Sequence, residues 1–78
     1  MIIYTKTGCP WCNELKDFLK ENKVEFEERN VTESDELRTE MEEKSGQTKA
    51  PVVDIEGEIF ADTDKDEIEK VLKEKGII

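Results

Sequence analysis

The apolar pattern of this chain changes period several times, and each change marks an element. Met1-Ile2-Ile3-Tyr4-Thr5 is a β-branched and aromatic run stopped by Gly8 and Pro10, which predicts a buried strand and a tight turn. From Pro10 the spacing becomes helical. Trp11, Leu15, Phe18 and Leu19 recur at i, i+4, i+7 and i+8, and a proline in the first turn of a helix sacrifices no hydrogen bond. This helix is expected to run to about Glu21. Val24 to Arg29 alternates with a mostly two-residue period and predicts a second strand. Thr32 or Ser34 can cap a thinly apolar second helix carrying Leu37 and Met41, which Ser45-Gly46 should end.

Pro51 to Ile55 and Glu58 to Ala61 flank Glu56-Gly57, a two-residue connection with the glycine that a hairpin turn favours. Thr63 or Asp64 can cap a last helix buried through Ile68, Val71 and Leu72, with acidic residues in its first turn and lysines in its last. The order is βαβαββα. A strand, a helical crossover and a strand make a parallel pair, and the hairpin adds an antiparallel one, so an α/β fold with a mixed sheet is expected.

Composition narrows the function. With 78 residues, one domain spanning 1–78 is expected, too small for a large enclosed cavity, so chemistry should sit at the surface. Acidic residues outnumber basic ones 21 to 12, and a net charge of −9 has the wrong sign for neutralising nucleic-acid phosphates. No apolar run approaches the roughly 18 residues of a membrane span. A cytoplasmic monomer with no nucleic-acid or membrane partner is the expectation. Most of the charge should form solvated helix faces, and Glu40/Lys44 and Glu69/Lys73 have the i,i+4 spacing of helical ion pairs.

The chemistry concentrates in two cysteines, Cys9 and Cys12, at the junction of first strand and first helix. As a staple, a bridge closing so short a loop contributes only about 2 kcal/mol, against about 4.7 for a 100-residue loop. Zinc ordinarily takes four Cys or His ligands, and the chain has two cysteines and no histidine. A metal or iron–sulfur centre would therefore be shared by the cysteines of two copies, an alternative that stays open. A redox pair fits the position better. One helical turn brings the two Cα atoms to about 5 to 6 Å, within disulfide range. Cys9 at the helix start, near Lys6, is expected to have a lowered thiol pKa; a shift from about 8.5 to about 7 takes only about 2 kcal/mol. Cys12, on the face of Leu15 and Leu19, is expected to be a buried thiol. Cys9 would then attack a partner disulfide and Cys12 would resolve the mixed disulfide. Pro10 stiffens the turn, and Trp11 either packs in the core or serves as a docking surface.

Lys6-Thr7-Gly8-Cys9-Pro10-Trp11-Cys12 after a first strand, with Thr48-Lys49-Ala50-Pro51-Val52-Val53 opening the third, resembles a small glutaredoxin of the thioredoxin-fold superfamily over nearly the whole chain. The resemblance implies a four-stranded mixed sheet in the order 2-1-3-4 with three flanking helices, and a cis bond between Ala50 and Pro51. It implies a dithiol–disulfide oxidoreductase whose only redox group is the Cys9–Cys12 disulfide, without a further cofactor or metal. It places the backbone that pairs with substrate on Ala50, carboxylate binding on Lys6 and Gln47, and γ-glutamyl binding on Thr63 and Asp64. The family's glycine pair just before that step is here Ala61-Asp62, so glutathione is expected to be a poor substrate. Glutaredoxin-like hydrogen donors of ribonucleotide reductase share the fold and draw electrons from a reductase protein. The expected partners are therefore disulfide-containing proteins, ribonucleotide reductase among them, and a thioredoxin-type reductase.

Overall fold

Ile3 and Tyr4 are neighbours, both are fully buried, and they belong to different apolar clusters, so the first strand is covered on both faces. A computed structural model describes residues 1–78. Its elements are β1 (Ile2–Thr5), α1 (Pro10–Glu21), β2 (Glu27–Asn30), α2 (Asp35–Ser45), β3 (Val52–Ile55), β4 (Glu58–Phe60) and α3 (Lys65–Glu74). The strands form one sheet in the order β2-β1-β3-β4, with β1 and β2 parallel and the other pairs antiparallel. On one face α1 and α3 enclose Ile3, Leu15, Leu19, Val53, Ile55, Ile68 and Leu72. On the other, α2 covers Tyr4, Val31, Met41 and Val52.

The second face is held partly by charge. Met41 is the only fully buried residue of α2, and the Arg29 guanidinium and Lys44 ammonium lie 6.0 and 5.4 Å from the centre of the Tyr4 ring. Arg29 also clasps Glu40 through two bonds of 2.8 and 2.7 Å, and Lys44 pairs with Asp54 at 3.2 Å. Glu40 and Lys44 therefore do not pair with each other as their spacing suggests, because better partners lie across the sheet. Glu69 and Lys73 do, at 3.3 Å.

Most predicted boundaries hold. Ser34 and Asp64 cap α2 and α3, and Gly46 ends α2 in the left-handed region. The hairpin places both Glu56 and Gly57 at positive φ, 52° and 90°. The correction is β2, which begins at Glu27 rather than Val24. Val24 and Phe26 pack against the larger core from the approach to the strand, and the strand itself is Glu-Glu-Arg-Asn at the sheet edge.

Candidate functional site

β3 runs antiparallel to β1, and β4 antiparallel to β3. The end of β1, the start of β3 and the end of β4 therefore meet at one end of the sheet. Residues 6–11, 49–51 and 62–64 converge there on an open groove of about 530 Å³. Its walls include Lys6, Cys9, Pro10 and Trp11 on the β1 side, Ala50 and Pro51 in the middle, and Thr63 and Asp64 on the β4 side. Gln47, expected among the binding residues, does not line it. Its amide is turned back on its own loop, donating to the Lys49 carbonyl at 3.0 Å and accepting from the Lys49 N–H. Lys49, which had no expected binding role, does line the groove, and so does Asp62, the residue expected to hinder glutathione there.

The loop into α1 is fixed by its neighbours. The Thr7 N–H donates to Thr32 Oγ1 and Asn30 Nδ2 donates to Thr7 Oγ1, each at 3.1 Å. Gly8 then reverses the chain at a φ of 77°, a conformation that glycine adopts without steric cost. Cys9 becomes the N-cap of α1. Its Sγ accepts the Cys12 N–H at 3.3 Å, doing what a serine oxygen usually does at that position. Pro10 supplies no N–H in the first turn, where none is needed. At the far side the Thr63 N–H donates to the Pro51 carbonyl at 3.3 Å, tying the β4–α3 connection to the start of β3. The Ala50–Pro51 peptide is cis.

The two thiols are unlike. Both are free, with Cys9 half-buried at the groove and Cys12 only 1% exposed. Burial, followed by the contact with Cys9, pushes the Cys12 thiol up from 9.0 to about 12, against smaller opposing pulls from the Lys6 backbone and then from the Lys16 charge one turn along α1. Lys16 is held by Glu28 at 2.9 Å, and the buried Thr5 hydroxyl donates to the same carboxylate oxygen at 2.8 Å. Lys16 in turn holds the Glu28 carboxyl below its ordinary range. Trp11 leaves the helical stripe and stands 61% exposed beside Cys9, while Cys12 takes the buried place. Asp64 spends one carboxylate oxygen on the Glu67 N–H at 2.8 Å, capping α3. No group of three or more His, Cys, Asp or Glu is gathered for a metal, so a metal centre would need donors from a second copy.

The glutaredoxin family model matches residues 1–60. The chain belongs to the glutaredoxin family. This glutaredoxin-family chain is 37% identical to a glutaredoxin-like 8.6 kDa protein in the rubredoxin operon of Clostridium pasteurianum, over 91% of this chain and 95% of that one. It is 34% identical to the N-acetyl-S-hydroxy-L-cysteine reductase of Bacillus subtilis, over 70% of this chain but only 59% of that protein. Among solved structures, a thioredoxin-like protein superposes with a TM-score of 0.83 at 31% identity, covering 91% of this chain and 97% of its own. Family membership brings thiol redox chemistry with it, acting in general on disulfide-containing substrates. No helix is long and apolar enough to cross a membrane.

Proposed function

We propose that this glutaredoxin-family protein reduces protein disulfides through a Cys9–Cys12 dithiol. The observation that carries the reading is the inequality of the two thiols: Cys9 faces the groove and Cys12 is shut away behind it. The Cys9 thiolate attacks one sulfur of the partner disulfide, forming the Cys9–partner bond and expelling the other partner sulfur as a thiolate that takes up a proton. Cys12 then loses its proton and attacks Cys9 Sγ, closing the Cys9–Cys12 bond and releasing the second partner thiol. The partner gains two electrons and the protein dithiol loses them. Ala50 offers its backbone to an extended partner segment beside Cys9, and Trp11 and Lys6 frame the entry. The Bacillus subtilis relative is named for reducing an oxidised cysteine derivative, which is chemistry of the same kind, attack of sulfur on sulfur.

The reductant we propose is a thioredoxin-type reductase, with glutathione a poor substitute. Asp62 brings a carboxylate into the groove where a net-anionic tripeptide would lie. With a model protein disulfide, Cys9→Ser is expected to abolish reduction. Cys12→Ser is expected to attack once and remain as a mixed disulfide, seen by intact-mass spectrometry. Persisting activity in Cys9→Ser, or wild-type turnover in Cys12→Ser, would overturn the assignment.

A further inference from the structure

Fewer than half of the charged side chains in this protein are engaged in ion pairs, so what marks a free charge is where it stands. Seven ion pairs form across its surface, yet none uses Lys6, Lys49 or Asp62, the three groove charges that also lack any side-chain hydrogen bond. Strand order sets how they are laid out. Lys6 follows β1 and Lys49 precedes β3, whereas Asp62 follows β4 at the sheet edge. The groove is thus basic toward the β1 side of Cys9 and acidic toward the β4 side. The N-terminus of α3 would ordinarily favour an anion at the β4 side. Asp64 already occupies that position with its own carboxylate, and Asp66 and Glu67 follow in the first turn.

Asp62 adopts a φ of 50°, the left-handed region that disfavours a side chain. Beside it Thr63 is only 4% exposed, its hydroxyl has no hydrogen-bond partner, and the residue lines the same groove. A buried hydroxyl without a partner at a ligand groove is an atom waiting for one. We infer that Asp62 makes the groove select disulfide partners that carry a positive charge on the β4 side of Cys9. The inference rests on the dithiol reading and adds the charge class of the substrate. An ammonium or guanidinium there meets an unpaired carboxylate, and a partner carboxylate there meets repulsion. For one exposed pair about 5 to 6 Å apart, screening leaves roughly a fivefold effect in each direction.

The test uses pre-reduced protein and three small disulfides in single turnover: cystamine (dication), 3,3′-dithiodipropionate (dianion) and neutral 2-hydroxyethyl disulfide. Each reaction oxidises the protein dithiol to the Cys9–Cys12 disulfide and reduces the probe to two thiols, so no further reductant is needed. In Asp62→Asn, whose side chain tolerates the same backbone, the cystamine-to-dithiodipropionate rate ratio is expected to fall at least fivefold. Glu43→Gln, an equal charge change at an exposed position on α2, is expected to leave that ratio within twofold. A ratio unchanged in Asp62→Asn, or shifted equally by Glu43→Gln, overturns the inference while leaving dithiol chemistry standing. Wild type that does not oxidise even with the neutral probe overturns the dithiol reading and the inference with it.

Discussion

Iodoacetamide offered to the reduced native protein at pH 7 is expected to modify Cys9 and spare Cys12. A shift of the Cys12 thiol from 9.0 to about 12 lowers its thiolate fraction, at pH 7 from roughly 1 in 100 to roughly 1 in 100,000, a loss of about 1,000-fold. The 1% exposure of the residue adds a steric barrier to the same result. Timed quenching followed by peptide mass spectrometry, on native protein and on protein unfolded in urea, gives both rates. Native Cys12 labelling within about tenfold of its unfolded rate would refute the reasoning, because burial, the leading cause of the shift, would then not exist in solution. The same shift has a thermodynamic sign. Between pH 9 and about 12 the unfolded chain gives up this proton while the folded chain keeps it, so the contribution to stability is complete below the unfolded pKa and is lost as pH rises.

Two further outcomes follow from backbone and charge. Asp62→Gly removes a left-handed side-chain penalty that Asp, like Asn, holds to under about 1 kcal/mol, and loses about 0.5 to 1 to chain entropy; an almost unchanged urea midpoint is expected, and a clear rise would show that Asp62 is strained. Glu28→Gln breaks the pair with Lys16, which is partly exposed and so is worth under about 1 kcal/mol. Because the Glu28 carboxyl is held below its ordinary 4.5, that stabilisation is present above the unfolded value and lost as pH falls through the folded one. The difference in urea midpoint between wild type and Glu28→Gln should be measurable at pH 7 and shrink progressively as pH falls below 4.5, and a gap that does not shrink in acid would assign it to packing.

What the sequence disclosed was whatever local chemistry decides. The change of period at Pro10, the N-caps Ser34 and Asp64 and the Glu56-Gly57 hairpin each carry their own signal within a few residues, and each lies where it was read. The cysteine pair at the strand–helix junction was legible for the same reason. The start of β2 was not, because an edge strand made of Glu27, Glu28, Arg29 and Asn30 owes its conformation to pairing with β1 and carries no apolar alternation of its own. The apolar residues just before it, Val24 and Phe26, drew the predicted boundary toward themselves. Lys49 entered the groove through strand order, which gathers distant loops at one end of the sheet, and Gln47 left it through bonds within its own turn. Charge pairing showed the same limit, since Glu40 and Lys44 found tertiary partners over helical ones.

The unequal coverage of the two sheet faces means that this protein has two kinds of glue in one small body. The α1–α3 layer rests on seven buried apolar residues, whose cohesion strengthens in excluded salts and weakens in the cold. The α2 layer has four, and leans on Arg29 and Lys44 stacked over an aromatic ring and bridged to carboxylates, a set of contacts that added salt screens. An excluded salt therefore tightens one side of the sheet while screening the charges that hold the other, so α2 is the layer it is expected to weaken. Cys9 and Cys12 sit at the start of α1, on the side that salt does not loosen.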